Sequence, residues 1–217
     1  MGWQIAGSGG ALAEVETNSL AMRTTPRPID PLTLGEYRWE TLSGTMAAGL
    51  AAAAPVFSFR WGNANLALVQ RVQVAMTSLA TGFAAGIGQL DLIIARAFSA
   101  SDTGGTQTLP TGNGGKKRTA MGTTLLTDWR QSSTATLTAG TRTLDAQPIS
   151  RLLFTVTTAV QTAHLPLTSI IDPETADGQW PLVLAQNEGF ILRATVPATG
   201  TWQFTVNVVW DEVASYQ

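Results

Sequence analysis

Trp202-Gln203-Phe204-Thr205-Val206-Asn207-Val208-Val209-Trp210-Asp211 decides the fold class. Trp202, Phe204, Val206, Val208 and Trp210 share one side of an extended chain, and Gln203, Thr205, Asn207 and Asp211 share the other. Successive strand residues point to opposite faces, so this stretch presents one face to a core and one to water. The same device recurs upstream. After the turn Asn187-Glu188-Gly189 comes Phe190-Ile191-Leu192-Arg193-Ala194-Thr195-Val196, and Leu182-Val183-Leu184 follows Pro181. Leu152, Phe154 and Val156 alternate with Arg151, Leu153 and Thr155, while Leu90, Leu92 and Ile94 are opposed by Gln89 and Asp91. Leu66, Leu68, Val72, Val74 and Met76 occupy even positions against Arg71 and Gln73. Phe57, Phe59 and Trp61 oppose Ser58 and Arg60, and Asn63-Ala64-Asn65 closes that strand with a turn.

Other segments are less regular. Residues 121–130 read as a short helix or a strand with Trp129 buried, and Thr134 to Thr143 reads as a Thr-rich strand or hairpin around Ala139-Gly140-Thr141. The Ala-rich stretch 46–54 favours helix, but Gly44, Gly49 and Pro55 limit it to about one or two turns. Residues 99–120, with Gly104-Gly105, Pro110 and Gly112-Asn113-Gly114-Gly115, read as a long exposed excursion. Residues 1–34, punctuated by Gly7, Gly9, Gly10, Pro26, Pro28 and Pro31, read as an extended N-terminal arm with at most one short strand. Eight to ten short strands between Gly, Pro and Asn turns predict an all-β chain, with residues 35–217 forming one β-sandwich. Its several long connections favour the jelly-roll version.

Composition narrows the function. Hydrophobic residues make up 44% of the 217, enough for a core without staples. Charged residues are 13%, against about 25% in typical globular chains, and the polar remainder is mostly Thr, Ser, Gln and Asn. A surface so weakly charged tolerates being covered. Net charge is −2, which offers no basic face for nucleic acid. Cysteine is absent, so thiolate catalysis, thiolate metal sites and disulfides are excluded. Met1-Gly2-Trp3-Gln4-Ile5-Ala6 has no basic region before an apolar one and is not read as a secretory signal. Ala6 stands where a myristoylation signal needs Ser or Thr. The weakly apolar run from Met46 to Ala54 is far shorter than the roughly 20 residues of a membrane span.

Chemistry is sparse. His164 is the one histidine, which rules out a two-His metal site within the chain, and beside Leu165-Pro166-Leu167 it reads as a loop or packed residue. Gly7-Ser8-Gly9 lacks nucleophile-elbow spacing. Gly112-Asn113-Gly114-Gly115-Lys116-Lys117 fails as a phosphate loop, because Lys117 stands where Ser or Thr should hold magnesium. With Arg118, these lysines instead form a candidate positive knob for an acidic neighbour. Asp172, Glu174 and Asp177 lack EF-hand spacing and read as a solvated acidic turn. Glu14 and Glu16 show no desolvation that would separate two carboxylates into acid and base. Of the seven tryptophans, Trp61, Trp202 and Trp210 belong to apolar strand faces, whereas Trp3, Trp39 and Trp180 are candidates for subunit contacts. No catalytic, cofactor-binding or metal-binding residue is assigned, and a non-enzymatic protein without a cofactor is expected.

The run Leu182–Val196, then Gly200-Thr201-Trp202 and a closing strand ending Trp210-Asp211-Glu212-Val213, resembles the ends of small β-proteins among tailed-bacteriophage structural proteins. Phe57-Ser58-Phe59-Arg60-Trp61 and Ala97-Phe98-Ser99 extend the likeness. The resemblance implies a virion protein made in the host cytoplasm, a capsid decoration or cement protein in particular. Its implied partners are the major capsid protein or other virion proteins and further copies of itself, with a trimer favoured by analogy. The alternative is a tail or head-fibre module that binds a host-surface glycan. Neither reading involves direct contact with nucleic acid or a membrane.

Overall fold

The computed structural model describes residues 4–6, 12–14, 34–47, 49–50, 52–79, 82–156, 164–172 and 181–215. Met1–Asp30 and Pro31–Gln217 form two compact units. In the first, β1 (Gln4–Ala6) and β2 (Leu12–Glu14) pair antiparallel, with Ile5 opposite Ala13. The described residues before Pro31 therefore hold two short strands where one at most was expected, since each supplies the other's backbone partners.

The second unit contains β3 (Gly35–Leu42), β4 (Met46–Ala47), β5 (Ala54–Trp61), β6 (Leu66–Ser78), β7 (Gly86–Arg96), β8 (Thr106–Gln107), β9 (Asp128–Gln131), β10 (Thr143–Leu144), β11 (Ser150–Val156), β12 (His164–Ile171), β13 (Leu182–Leu184), β14 (Glu188–Thr195) and β15 (Thr201–Val213). One sheet has the order β12-β6-β15-β3, with β13 also on β6 and β4 also on β15. The other runs β10-β7-β14-β5-β9-β8, with β11 also on β7. All pairings are antiparallel, and the two sheets face each other across one core: the expected all-β sandwich. Among the described residues there is no helix, and so none long and apolar enough to cross a membrane.

The alternation that marked the strands also fills the core. Trp202, Phe204, Val206, Val208 and Trp210 are buried against Phe57, Phe59, Leu92 and Phe190 of the opposite layer. Phe59 stacks on Phe190 with ring centres 5.0 Å apart and meets Trp210 edge-on at 5.6 Å, so one ring ties the two sheets together. Burying a side chain of this size contributes about 1.5–3 kcal/mol.

Some expectations need correction. The even phase along β6 predicts Leu66 and Leu68 on the core face, yet Ala67 and Val69 occupy it. Pairing with β15 slips between Val209, opposite Arg71, and Trp210, opposite Val69, leaving Gln70 as an extra residue. Such a bulge inverts the alternation beyond it. The Gln70 amide donates to the Asp211 carboxylate at 2.6 Å and anchors the bulge.

The Ala-rich segment forms no helix in its described part. Met46 and Ala47 pair with Trp202 and Thr201 instead, which satisfies backbone groups while burying Met46. A helix of one or two turns cannot offset its own nucleation cost. Residues 121–130 hold the beginning of β9 and no helix, with Trp129 buried as expected. Between Thr134 and Thr143 the chain forms no strand before β10 begins; an isolated bridge from Thr138 to Thr103 and bonds from the Leu137 and Thr141 N–H groups to the Pro55 and Ala100 carbonyls hold it in place. His164 begins an edge strand, β12, whose register breaks twice near Pro166 and Ile171.

Candidate functional surface

Part of the outer face of the seven-stranded sheet is covered by loops. Ile93, Ala95 and Ile191 on that face form a small second core with Phe98. Two guanidinium groups lie over the Phe98 ring, Arg60 at 6.0 Å and Arg142 at 5.4 Å from its centre. Arg60 also donates to the carbonyls of Phe98 at 2.6 Å and Ser99 at 2.7 Å, so this strand residue clamps the loop that follows β7. Arg142 pairs with Asp102, and both side chains are almost wholly buried. Burial pushes the Arg142 guanidinium down to about 10, which leaves it charged at neutral pH. The Gly140 N–H donates to the same Asp102 carboxylate at 2.9 Å, joining the 98–105 and 134–144 loops.

Further along this face, buried Asp91 accepts from Arg151 at 2.6 and 3.2 Å and from Gln89 at 2.7 Å. The bonds to Asp91 hold Arg151 above its ordinary value and firmly charged. Arg193 adds a second cation 3.7 Å from the same carboxylate. Arg96 bridges Glu188 at 2.6 Å and Asp145 at 3.4 Å, which likewise raises it. The arrangement is an arginine–carboxylate lattice that fixes loops to a sheet. Its partners lie 40 to 100 residues apart or sit inside ordinary strand alternation, so no local motif announces them; the only sequence signal is Arg60, Asp91 and Arg193 on otherwise apolar strands.

The residues singled out from sequence scatter. His164 is exposed and borders a shallow groove of about 120 Å³ with Leu42, Met76, Gln203 and Thr205, and none of the groove's lining residues is a carboxylate. Asp172 bonds the Ser169 hydroxyl at 3.0 Å, whereas Glu174, Asp177, Trp3, Trp180 and Glu16 lie outside the described residues. Glu14 is described only as backbone, paired with Gln4. Among the described residues no three His, Asp or Glu side chains group as metal ligands. Trp61, Trp202 and Trp210 are core, as their strand faces require.

Trp39 is not an open contact residue. Its indole N–H donates to the Thr108 carbonyl at 3.2 Å, and Gly114 and Gly115 lie against its ring. Gly115 has φ +75, and a Cβ there would sit 2.9 Å from the Arg38 carbonyl, so only glycine lets the loop approach so closely. Residues 108–117 therefore lie along β3 instead of projecting: the Arg38 N–H donates to Gly115 at 2.7 Å, and Lys116 bridges Tyr37. Lys117 pairs with Glu36 of the same chain, which neutralises part of the expected positive knob. Farther along the chain, Glu212 is a fully buried carboxylate that accepts from Thr124 at 2.5 Å, the Leu125 N–H at 3.0 Å and Trp210 at 3.2 Å.

Burial raises the Glu212 carboxyl above its ordinary value, with those three donors opposing the rise. The same burial, followed by the Glu212 charge, pushes Tyr37 up to about 12. In the folded state Glu212 thus keeps its proton at a pH where the unfolded chain has lost it. Folded protein binds more protons in that window, so this group's contribution falls as pH rises from about 4.3 through the raised value. Glu212→Gln is expected to flatten that part of the stability profile in urea titrations run across the window; an unchanged slope would contradict the assignment.

No known family model, curated protein or solved structure matches this chain.

Proposed function

We propose that this chain is a non-enzymatic virion structural protein, a capsid decoration or cement protein of the tailed-bacteriophage kind that bridges neighbouring shell subunits. The observation that carries the reading is the order of the eight longest strands among the described residues. β3 pairs with β15, β5 with β14, β6 with β12 and β7 with β11: first with last, and so inward. β6 with β15 and β7 with β14 complete the two layers. A single long hairpin rolled up on itself has these pairings, which supports the jelly roll, an architecture that recurs in viral capsid and lectin domains. The weakly charged, Thr-rich composition and a lattice of ion pairs that hardens one face suit a subunit that is covered in use. The residues before Pro31 serve in this reading as an arm toward a neighbour.

The test is an inventory of purified particles by mass spectrometry. The chain is expected at a fixed ratio to the major shell protein, and particles lacking it are expected to lose resistance to heat or low ionic strength. Its absence from washed particles would sink the proposal. Hits on a glycan array, with host adsorption reduced by Trp180→Ala, would move it to a tail or head fibre.

A further inference from the structure

β11 is the outermost long strand of its sheet, and among the described residues it pairs with β7 alone. It is held there firmly. Leu152 and Phe154 pack against the core, and the Phe154 ring covers Gly88, where a Cβ would come within 1.9 Å of it. Alternate backbone N–H and C=O groups along its far side point away from β7, the usual template for another strand.

Proteins blunt such borders with charge, proline, bulges or covering loops. β3 is covered by residues 115–117 and carries Glu36, Arg38 and Glu40. β12 contains Pro166 and two breaks in register, and β8 and β10 have two residues each. Among the described residues β11, Ser-Arg-Leu-Leu-Phe-Thr-Val, has none of these devices, and its one charge, Arg151, is already held by Asp91. On its outer face Leu153 is 62% exposed and stands opposite Gln89, with Ile87, 66% exposed, on the diagonal opposite Thr155.

We propose that β11 is the seam between two copies of this chain, paired antiparallel about a two-fold axis at Leu153. The proposal rests on the reading of the chain as an assembling structural subunit and names the surface it uses. The strand matches itself. Turned about Leu153, Leu152 meets Phe154, Arg151 meets Thr155 and Ser150 meets Val156, so inward residues stay with inward and outward with outward. No like charges oppose each other, because each Arg151 faces a threonine. The two Leu153 side chains meet at the axis, each with Ile87 of its own copy on the diagonal. A contact that uses the same patch on both partners closes at two copies.

The absence of cysteine makes the test clean. Leu153→Cys places one thiol in each copy at the axis, and residues directly opposite in antiparallel strands have Cα atoms about 4.5 or 5.5 Å apart, within disulfide reach. With oxidised glutathione as the electron acceptor, Leu153→Cys is expected to convert largely to a covalent dimer. Thr119→Cys, exposed in the loop beside β3, is expected to stay monomeric. In sedimentation, the wild-type chain is expected to be a dimer. Leu153→Arg, which sets like charges against each other, is expected to weaken association by more than about tenfold. Because Leu153 is exposed within one copy, that variant should melt like the wild type at concentrations low enough to dissociate the dimer, and below it where the wild type is associated.

A wild-type monomer at concentrations up to about 100 µM, a trimer that Leu153→Arg leaves intact, or cross-linking at 153 no faster than at 119 would each overturn the seam. A chain present in particles yet failing these tests refutes the seam and leaves the virion role standing. A Leu153-dependent dimer missing from washed particles does the reverse.

Discussion

Asp102→Ala is expected to lower the unfolding free energy by about 3–5 kcal/mol. Asp102 is fully buried, and Arg142, its partner, has a side chain only 4% exposed. Burial brings the guanidinium down only to about 10, so at neutral pH the variant retains a buried cation without its counter-charge. The Gly140 N–H also loses its acceptor, which loosens the loop over Ile93 and Ile191. Replacing both members of a buried pair by apolar groups is often neutral, so adding Arg142→Met should restore most of the loss. Equilibrium urea unfolding of the wild type, both single variants and the double variant measures the coupling. A loss below about 1 kcal/mol for Asp102→Ala would mean that the pair behaves as a surface ion pair.

Trp210→Ala is expected to cost a similar amount, about 3–5 kcal/mol, by a different route. The indole stacks on Tyr37 at 5.6 Å, meets Phe59 edge-on and lies 6.5 Å from Trp129, so its removal opens a cavity where both sheets meet. Its N–H also donates to buried Glu212. Trp210→Phe keeps most of the packing and loses the donor, for a smaller cost of about 1–3 kcal/mol. Thermal unfolding should rank wild type above Trp210→Phe and Trp210→Phe above Trp210→Ala, with the last falling by roughly 10 °C. Equal losses in the two variants would assign the whole effect to the donor rather than to volume.

The strands most plainly written in the sequence are those buried on one face. The first half of β15 alternates cleanly, whereas β7 and β14 also bury Ile93, Ala95 and Ile191 on the opposite face, so their apolar runs break the alternation. Strand β12 hides behind Pro166 and its irregular register, and the inversion at Gln70 becomes visible only against the strand it pairs with. The loops were harder still. Residues 99–120 are rich in glycine, which reads as mobility, yet Gly115 is there to let the backbone lie against Arg38 and Trp39. Asp102 and Arg142 follow no spacing rule, since loops brought together by the fold place them. Exposure at Leu153 and Ile87 was equally silent: both are ordinary members of strand patterns until the border they occupy is known.

The pairing of β3 with β15 sets the timetable of folding. Among the described strands, the first long one finds its hydrogen-bonding partner only in β15, so the six-stranded layer stays open until Thr201–Val213 has emerged from the ribosome. Contacts this remote in sequence require large loops to close before they contribute, which places such topologies among slow folders, on the order of milliseconds to seconds. During that interval the greasy side of β6 waits without its neighbour, and the nascent chain is at its most exposed to aggregation.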